Sequence, residues 1–159
     1  MMDFSAATDT VIRLAAASVL GALVGLERQF HGRWAGLRTH IMVSLGSAMF
    51  VAAAVELSGQ LVVTETTSVG ADPVSRVIQG IAAGVGFLGA GTILKIADQM
   101  EIKGLTTASS IWLAAAVGTA SGLGQYLLAV TGTIISLAVL AVLRPMEKRF
   151  ERHDEKPQT

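Results

Sequence analysis

The charged residues with the clearest chemical potential stand together at the end of the first apolar run. Glu27 and Arg28 are adjacent, and Arg38 follows ten residues after Arg28. An acid and a base at a helix end, with a second arginine nearby, can form an ion-pair network partly removed from water. We interpret these residues as a candidate functional site. The alternative is that they only anchor loops under the positive-inside rule.

The sequence offers no constellation for catalysis. His31, His40 and His153 have no serine or carboxylate at the spacing of a catalytic site, and the chain contains no cysteine. Mg²⁺ prefers carboxylate oxygens, and the middles of the apolar runs contain none. We therefore expect a protein that is not an enzyme and needs no cofactor, while any metal ligand stays unassigned.

Glycines are frequent in the apolar runs, and their spacing suggests helix packing. Residues 84–89 match the G-x-G-x-x-G string of dinucleotide-binding folds, but no strand precedes them and the run is apolar. Glycines spaced four apart let helix backbones approach closely, which is the interpretation we favour. The four-residue pairs are Gly21 with Gly25, Gly80 with Gly84, and Gly118 with Gly122. We expect the third helix to be the centre of the bundle.

Residues of the third and fourth helices have two possible roles. They form packing surfaces between helices, or they line an ion pathway. Gln79 is the polar residue of most interest, because a buried amide needs a partner. An unwinding of the third helix near residues 89–92 is a further expectation, because transporters often coordinate ions with unwound backbone. The residues concerned are Gln79, Gly84, Gly86, Gly89, Gly91, Thr92 and Ser109.

The elements that must position these residues are transmembrane helices. Hydrophobic residues make up 52% of the 159 residues and charged residues only 15%, with a mean hydropathy of +0.58. A soluble domain of this size cannot hide so much apolar surface. Most apolar runs approach the length that crosses a bilayer. We predict an all-α integral membrane protein with about five spans, at residues 7–26, 41–57, 74–94, 105–123 and 126–143, and a charged tail at 144–159.

Basic residues are distributed unevenly between the connecting segments. Ten of the twelve Lys and Arg residues fall in segments 27–40 and 95–104 and in the tail from residue 144. Basic residues stay in the cytoplasm, so the sequence predicts the N-terminus outside and the C-terminus inside. Residues 58–72 then form an external loop, with a short extended stretch at 61–64. The zero net charge gives no indication of a nucleic-acid partner.

The chain contains an internal repeat with an offset of 68 residues. Between residues 20–40 and 88–108 there are seven identities in 21 positions, including a shared Gly-Leu-x-Thr at Gly36 and Gly104. Both copies enter the membrane, turn in the cytoplasm and return. We therefore predict two parallel helical hairpins plus a fifth helix.

The two repeats should meet at their cytoplasmic ends, where they form a basic surface. We treat this surface as the candidate functional cluster. Its predicted members are Glu27, Arg28, Gln29, Arg38, Thr39, His40, Lys103, Thr106 and Thr107.

Four motifs in this order resemble the membrane domain of the MgtC/SapB family, from about residue 14 to residue 124. They are the segments 25–29, 35–40, 84–93 and 103–108, the last followed by Trp112. The resemblance implies a bacterial inner-membrane protein associated with growth in low Mg²⁺. Members of this family look more like regulators of other membrane proteins than like transporters.

Two departures from the virulence-associated members separate this chain from them. Those proteins share an Asn and a Cys on the fourth helix, where Thr106 and Leu113 stand here, and they commonly continue into a soluble domain. This chain ends at Thr159, so we expect no such domain and do not carry the virulence role over. We expect a regulator that contacts lipid and other membrane proteins and forms a homo-oligomer, most simply a dimer. The alternative is a small ion transporter or channel.

Overall fold

A computed structural model describes residues 4–63, 72–96 and 101–154, which form five helices and one short hairpin. The helices are α1 (Phe4–Phe30), α2 (Leu37–Val63), α3 (Pro73–Gly91), α4 (Leu105–Gly122) and α5 (Tyr126–Asp154). Two antiparallel strands, β1 (Leu94–Ile96) and β2 (Glu101–Lys103), connect α3 to α4. The predicted all-α class is confirmed.

Local sequence explains where several helices begin and end. Asp72 caps α3, because its carboxylate accepts hydrogen bonds from the backbone N–H groups of Val74 and Ser75, and Pro73 occupies the first turn. Gly104 precedes α4 with a φ of 96°, and an added Cβ there would overlap the Thr92 carbonyl. Only glycine fits that position, because it needs both the left-handed backbone and the space.

Four of the described helices are long and apolar enough to cross a membrane. The qualifying segments are Phe4–Phe30, Leu37–Gly59, Pro73–Gly91 and Tyr126–Leu143. The helix α4 is not among them, since Ser, Thr and Gly interrupt its apolar residues. Yet ten of its 18 residues are buried, so the small and polar side chains of α4 pack against other helices. A helix surrounded by protein does not need the hydropathy of one surrounded by lipid.

The centre of the bundle is α4 and not α3, so the prediction from glycine content is wrong. Among the described residues of α3 only Val85 and Gly89 are buried. A Cβ at Gly80, Gly84, Gly86 or Gly91 would meet no described atom within 4 Å. Glycine content measures how closely a helix could be approached, and it does not say whether a neighbour is present.

The glycines that do pack closely lie on α1 and α4, against α2. A Cβ at Gly21 would come within 2.8 Å of the His40 carbonyl oxygen, and one at Gly118 would overlap the Ser44 carbonyl. Gly25 and Gly122 are equally crowded, by Leu37 and Ala48. These close approaches hold α1 antiparallel and α4 parallel to α2.

The predicted repeat has a counterpart in the helix contacts. The helices α2 and α4 begin at Leu37 and Leu105, which are 68 residues apart. Gly21 packs on His40, and at the same offset Gly89 packs on Ala108. The same helix crossing is therefore formed twice, which supports the interpretation of two related hairpins.

Other local expectations fail. The helix α2 continues to Val63, so the extended stretch expected at 61–64 is wrong as far as Val63, and Thr64 lies outside the described residues. The helix α3 ends at Gly91, so the predicted span 74–94 is too long, although the helix does break within residues 89–92, where an interruption or unwinding is expected. The hairpin β1–β2 was not expected, because its three-residue strands are too short for a periodic pattern.

Candidate functional site

The chain positions an ion pair at the end of α1, where the first hairpin turns. The Arg28 side chain is only 3% exposed, and its Nε donates to Glu27 Oε2 at 2.5 Å. The Glu27 side chain is 13% exposed. Because the two residues are adjacent and α1 packs on α2 here, the pair is largely removed from water. Arg38, which the sequence predicted to join this network, is exposed and forms no ion pair in the described structure.

His31 extends this pair toward the surface. Its Nδ1 lies 2.9 Å from Glu27 Oε1, the distance of an ion pair, and 2.6 Å from the Glu27 carbonyl oxygen. The carboxylate oxygen Oε1 is not aligned for a hydrogen bond, and within the described residues Arg28 Nη1 has no hydrogen-bond partner either. The pair therefore retains unused polar capacity, which a water molecule or another group could fill.

His40 joins two helices close to this pair. Its ring is fully buried; Nδ1 lies 2.8 Å from the Gly36 carbonyl oxygen, and Nε2 lies 3.0 Å from Ser110 Oγ on α4. Glu27 and Arg28 are its electrostatic neighbours. The sequence placed His40 in a cytoplasmic segment, but the structure places it inside the bundle.

The Ser110 hydroxyl can be bonded in two ways. It lies 2.9 Å from the Thr107 carbonyl oxygen as well as 3.0 Å from His40 Nε2. If Ser110 donates to Thr107, both ring nitrogens of His40 face acceptors, and only the imidazolium satisfies both. If Ser110 turns to donate to Nε2, the neutral ring with a proton on Nδ1 is satisfied. The orientation of the Ser110 hydroxyl therefore decides which form of the His40 ring has all its hydrogen bonds satisfied.

The predicted cluster divides into a buried and an exposed part. Arg28, His40 and Thr107 are buried and Glu27 is nearly so, whereas Gln29, Arg38, Thr39, Lys103 and Thr106 are exposed. Gln29 also has a structural task, because its Oε1 accepts a hydrogen bond of 3.2 Å from the backbone N–H of Leu37 at the start of α2. We call the end of the bundle that carries both parts the basic end.

The residues proposed for a pathway occupy different kinds of position. Gln79 is exposed on α3, so the expectation of a buried amide is wrong. Thr92 and Ser109 donate to carbonyl oxygens of Gly89 and Leu105, near them in the chain. Gly89 is buried, while Gly84, Gly86 and Gly91 are exposed. Within the described residues there is no group of three or more His, Asp or Glu residues that could hold a metal ion.

Sequence reasoning missed two contacts that join helices. Arg13 pairs with Asp9 at 2.7 Å, and its Nη1 donates to the Gly122 carbonyl oxygen at the end of α4 at 2.8 Å. Ser44 donates to the Ala17 carbonyl oxygen at 2.8 Å. The four-residue spacing of Asp9 and Arg13 could have indicated their pair. Nothing in the sequence indicated the contacts with Gly122 or Ala17.

An open groove runs between α2 and α3. It has a volume of about 680 Å³ and an almost entirely apolar lining. Small residues on both helices make it wide: Gly46 and Ser47 on α2, and Gly80 and Gly84 on α3. Along α3 it extends from Arg76 to Leu88, which is about 18 Å of helix axis.

These features define a class of protein first: a multi-pass α-helical membrane protein with a buried ion pair at one end of the helix bundle. The chain belongs to the MgtC family, because the model of the MgtC family matches residues 14–149. It is therefore a multi-pass bacterial membrane protein.

Several relatives of known name are similar over most of this chain. It is 39% identical to Protein SrpB of Synechococcus elongatus over 142 residues, 86% of this chain and 75% of that protein. It is 42% identical to "Putative magnesium transporter YhiD" of Escherichia coli over 140 residues, 88% of this chain and 63% of that protein. Against Protein MgtC of Salmonella typhimurium it is 39% identical over 142 residues, 89% of this chain and 55% of that protein. No solved structure matches.

Proposed function

We propose that this protein is a non-enzymatic regulator of other inner-membrane proteins, linked to Mg²⁺ limitation or ion homeostasis, and that it acts by helix contact within the bilayer. The observation that carries the proposal is the open groove between α2 and α3. Family membership and the name of the YhiD relative support the link to Mg²⁺.

The groove has the properties of a site for a transmembrane helix. Membrane helices associate where small residues let the backbones approach, and Gly80 and Gly84 leave that space open in the described structure. The other four-residue glycine pairs are already filled by α2. We propose that the groove receives a helix of another membrane protein; a helix of a second copy is the competing occupant.

The basic end gives such a regulator a second element. Its buried pair, Glu27 with Arg28, and its buried hydrogen-bonded contact, His40 with Ser110, both lie where α1, α2 and α4 meet. A change of charge there acts on the packing of the same helices. We propose that this end faces the cytoplasm, in agreement with the positive-inside rule.

Filling the groove tests the proposal. A Cβ at Gly84 would meet no described atom within 4 Å, and because Gly84 lines the groove, a leucine side chain there extends into it. We expect Gly84→Leu to lose partner proteins that wild type retains in a crosslinked pull-down from membranes of cells grown in low Mg²⁺. Gly86→Leu is the matched control, because Gly86 is also on α3 and open but does not line the groove. Equal capture by all three proteins overturns the proposal, and capture of this chain alone assigns the groove to self-association.

The competing function is a small ion transporter or channel, which the name of the YhiD relative favours. Purified protein in sealed liposomes loaded with a Mg²⁺ indicator separates the two. A regulator leaves the flux at the level of empty liposomes. Mg²⁺ entry above that level by wild type establishes transport instead.

A further inference from the structure

A second groove lies at the basic end, where the connection between α1 and α2 folds back on the first turn of α2. Its volume is about 410 Å³. Two arginines, an amide, a hydroxyl and an indole line it: Arg33, Arg38, Gln29, Thr39 and Trp34. Unlike the groove between α2 and α3, this one is lined by polar side chains together with one aromatic side chain.

Both arginines of this groove are available for a ligand. Arg33 and Arg38 are exposed, and neither side chain has an ion-pair or hydrogen-bond partner in the described structure. Arg13 and Arg28, in contrast, are both paired with carboxylates. Two guanidinium groups that converge on one cavity without an acidic partner match an anion that can accept several hydrogen bonds.

The position of the groove in the membrane narrows the choice of anion. Phe30 is 83% exposed and Trp34 is 63% exposed, and they border the membrane-crossing segments Phe4–Phe30 and Leu37–Gly59. Exposed aromatic residues at the ends of such segments lie at the depth of the lipid headgroups. The groove that Trp34 lines therefore lies at the depth where lipid phosphates are concentrated.

We propose that this groove binds the phosphate of an anionic phospholipid headgroup. The Arg33 and Arg38 guanidinium groups donate to the phosphate oxygens, and Trp34 packs beside the upper part of the acyl chains. Basic pockets at membrane boundaries bind anionic lipids in this way. The inference does not depend on the proposed regulatory function, since a transporter could carry the same lipid site.

Free phosphate offers the same oxygens, so the experiment must separate the two sources. The purified protein in detergent is titrated with phosphatidylglycerol, with phosphatidylcholine and with inorganic phosphate, and retained lipid is counted by native mass spectrometry. We expect wild type to retain phosphatidylglycerol in preference to phosphatidylcholine. Millimolar inorganic phosphate should not displace it.

Variants locate the lipid. Arg33→Ala and Arg38→Ala should each lower the preference for phosphatidylglycerol about five-fold, as expected for one basic residue at a lipid surface. Arg38→Lys should be intermediate, because it keeps the charge and loses the planar fork. Arg76→Ala is the matched control. It removes the same charge as Arg38→Ala, but Arg76 is exposed on α3, outside this groove.

Three results would overturn the inference. If wild type retains both lipids equally, the arginines only set the orientation of the protein in the membrane. This measurement does not depend on the folding of any variant. An equal loss in Arg76→Ala and Arg38→Ala assigns the preference to overall charge. Displacement of the lipid by inorganic phosphate assigns the groove to a soluble anion.

Discussion

Among the Lys and Arg residues whose side-chain burial the structure describes, Arg28 is the one that is buried. Such a side chain costs several kcal/mol to remove from water, on the order of the whole stability of a small domain. The adjacent Glu27 offsets that cost through the contact at 2.5 Å, and Nη1 is left without a described partner. Loss of the carboxylate charge therefore affects stability more than loss of an exposed pair would.

Removal of the Glu27 charge should destabilise the bundle. Glu27→Gln keeps the shape of the side chain and leaves the Arg28 charge buried without compensation, which should lower the free energy of unfolding by about 3 kcal/mol. Chemical unfolding in detergent measures this difference. Glu56→Gln is the control, because Glu56 is exposed and no ion pair involves it in the described structure; it should change stability by less than about 0.5 kcal/mol. The double variant Glu27→Gln, Arg28→Met should be more stable than Glu27→Gln alone, and the opposite order contradicts this account.

At the scale of elements, glycine spacing and hydropathy indicate how closely a helix can be packed and whether it can cross a membrane. They do not indicate which helices it contacts. The pairs Gly80 with Gly84 and Gly118 with Gly122 look alike in sequence, yet only the second is closed by α2. Hydropathy likewise favours α3 over α4 as a span, although α4 is the more buried helix. The missing information is the identity of the neighbouring surface, which no single helix encodes.

This difference predicts opposite outcomes for the same substitution on two helices. Gly118→Ala forces a Cβ into the Ser44 backbone of α2 and should lower the free energy of unfolding by about 1 to 3 kcal/mol. Gly80→Ala meets no described atom and should raise it by up to about 1 kcal/mol, because alanine favours the helix. Thermal unfolding of the two purified variants beside wild type measures both. Destabilisation of equal size would mean that the groove between α2 and α3 is closed in the folded protein.

At the scale of the whole molecule, the sequence predicted the fold class, the helix count and the repeat, because each depends on long patterns summed over many residues. The starts of α2 at Leu37 and of α4 at Leu105 are separated by the 68-residue offset of the repeat, although the predicted second span began at residue 41. The sequence predicted which residues form the candidate site, but it did not predict which of them are buried. His40 is buried because Ser110 on α4 reaches it, and that contact joins residues 70 positions apart, beyond any local pattern.

The orientation of the bundle is the remaining large-scale prediction, and the absence of native cysteine makes it directly measurable. Thr39→Cys places a thiol at the exposed basic end, and Gln125→Cys places one in the exposed connection between α4 and α5 at the opposite end. Since basic segments stay in the cytoplasm, a membrane-impermeant maleimide should label Gln125→Cys in intact spheroplasts and Thr39→Cys only after lysis. Wild type is the unlabelled control. The reverse labelling pattern would mean that the protein has the opposite orientation, with the Arg33–Arg38 groove at the outer leaflet. Labelling of both sites before lysis would indicate two orientations in one membrane. The strong imbalance of Lys and Arg between the two sides argues against this second outcome.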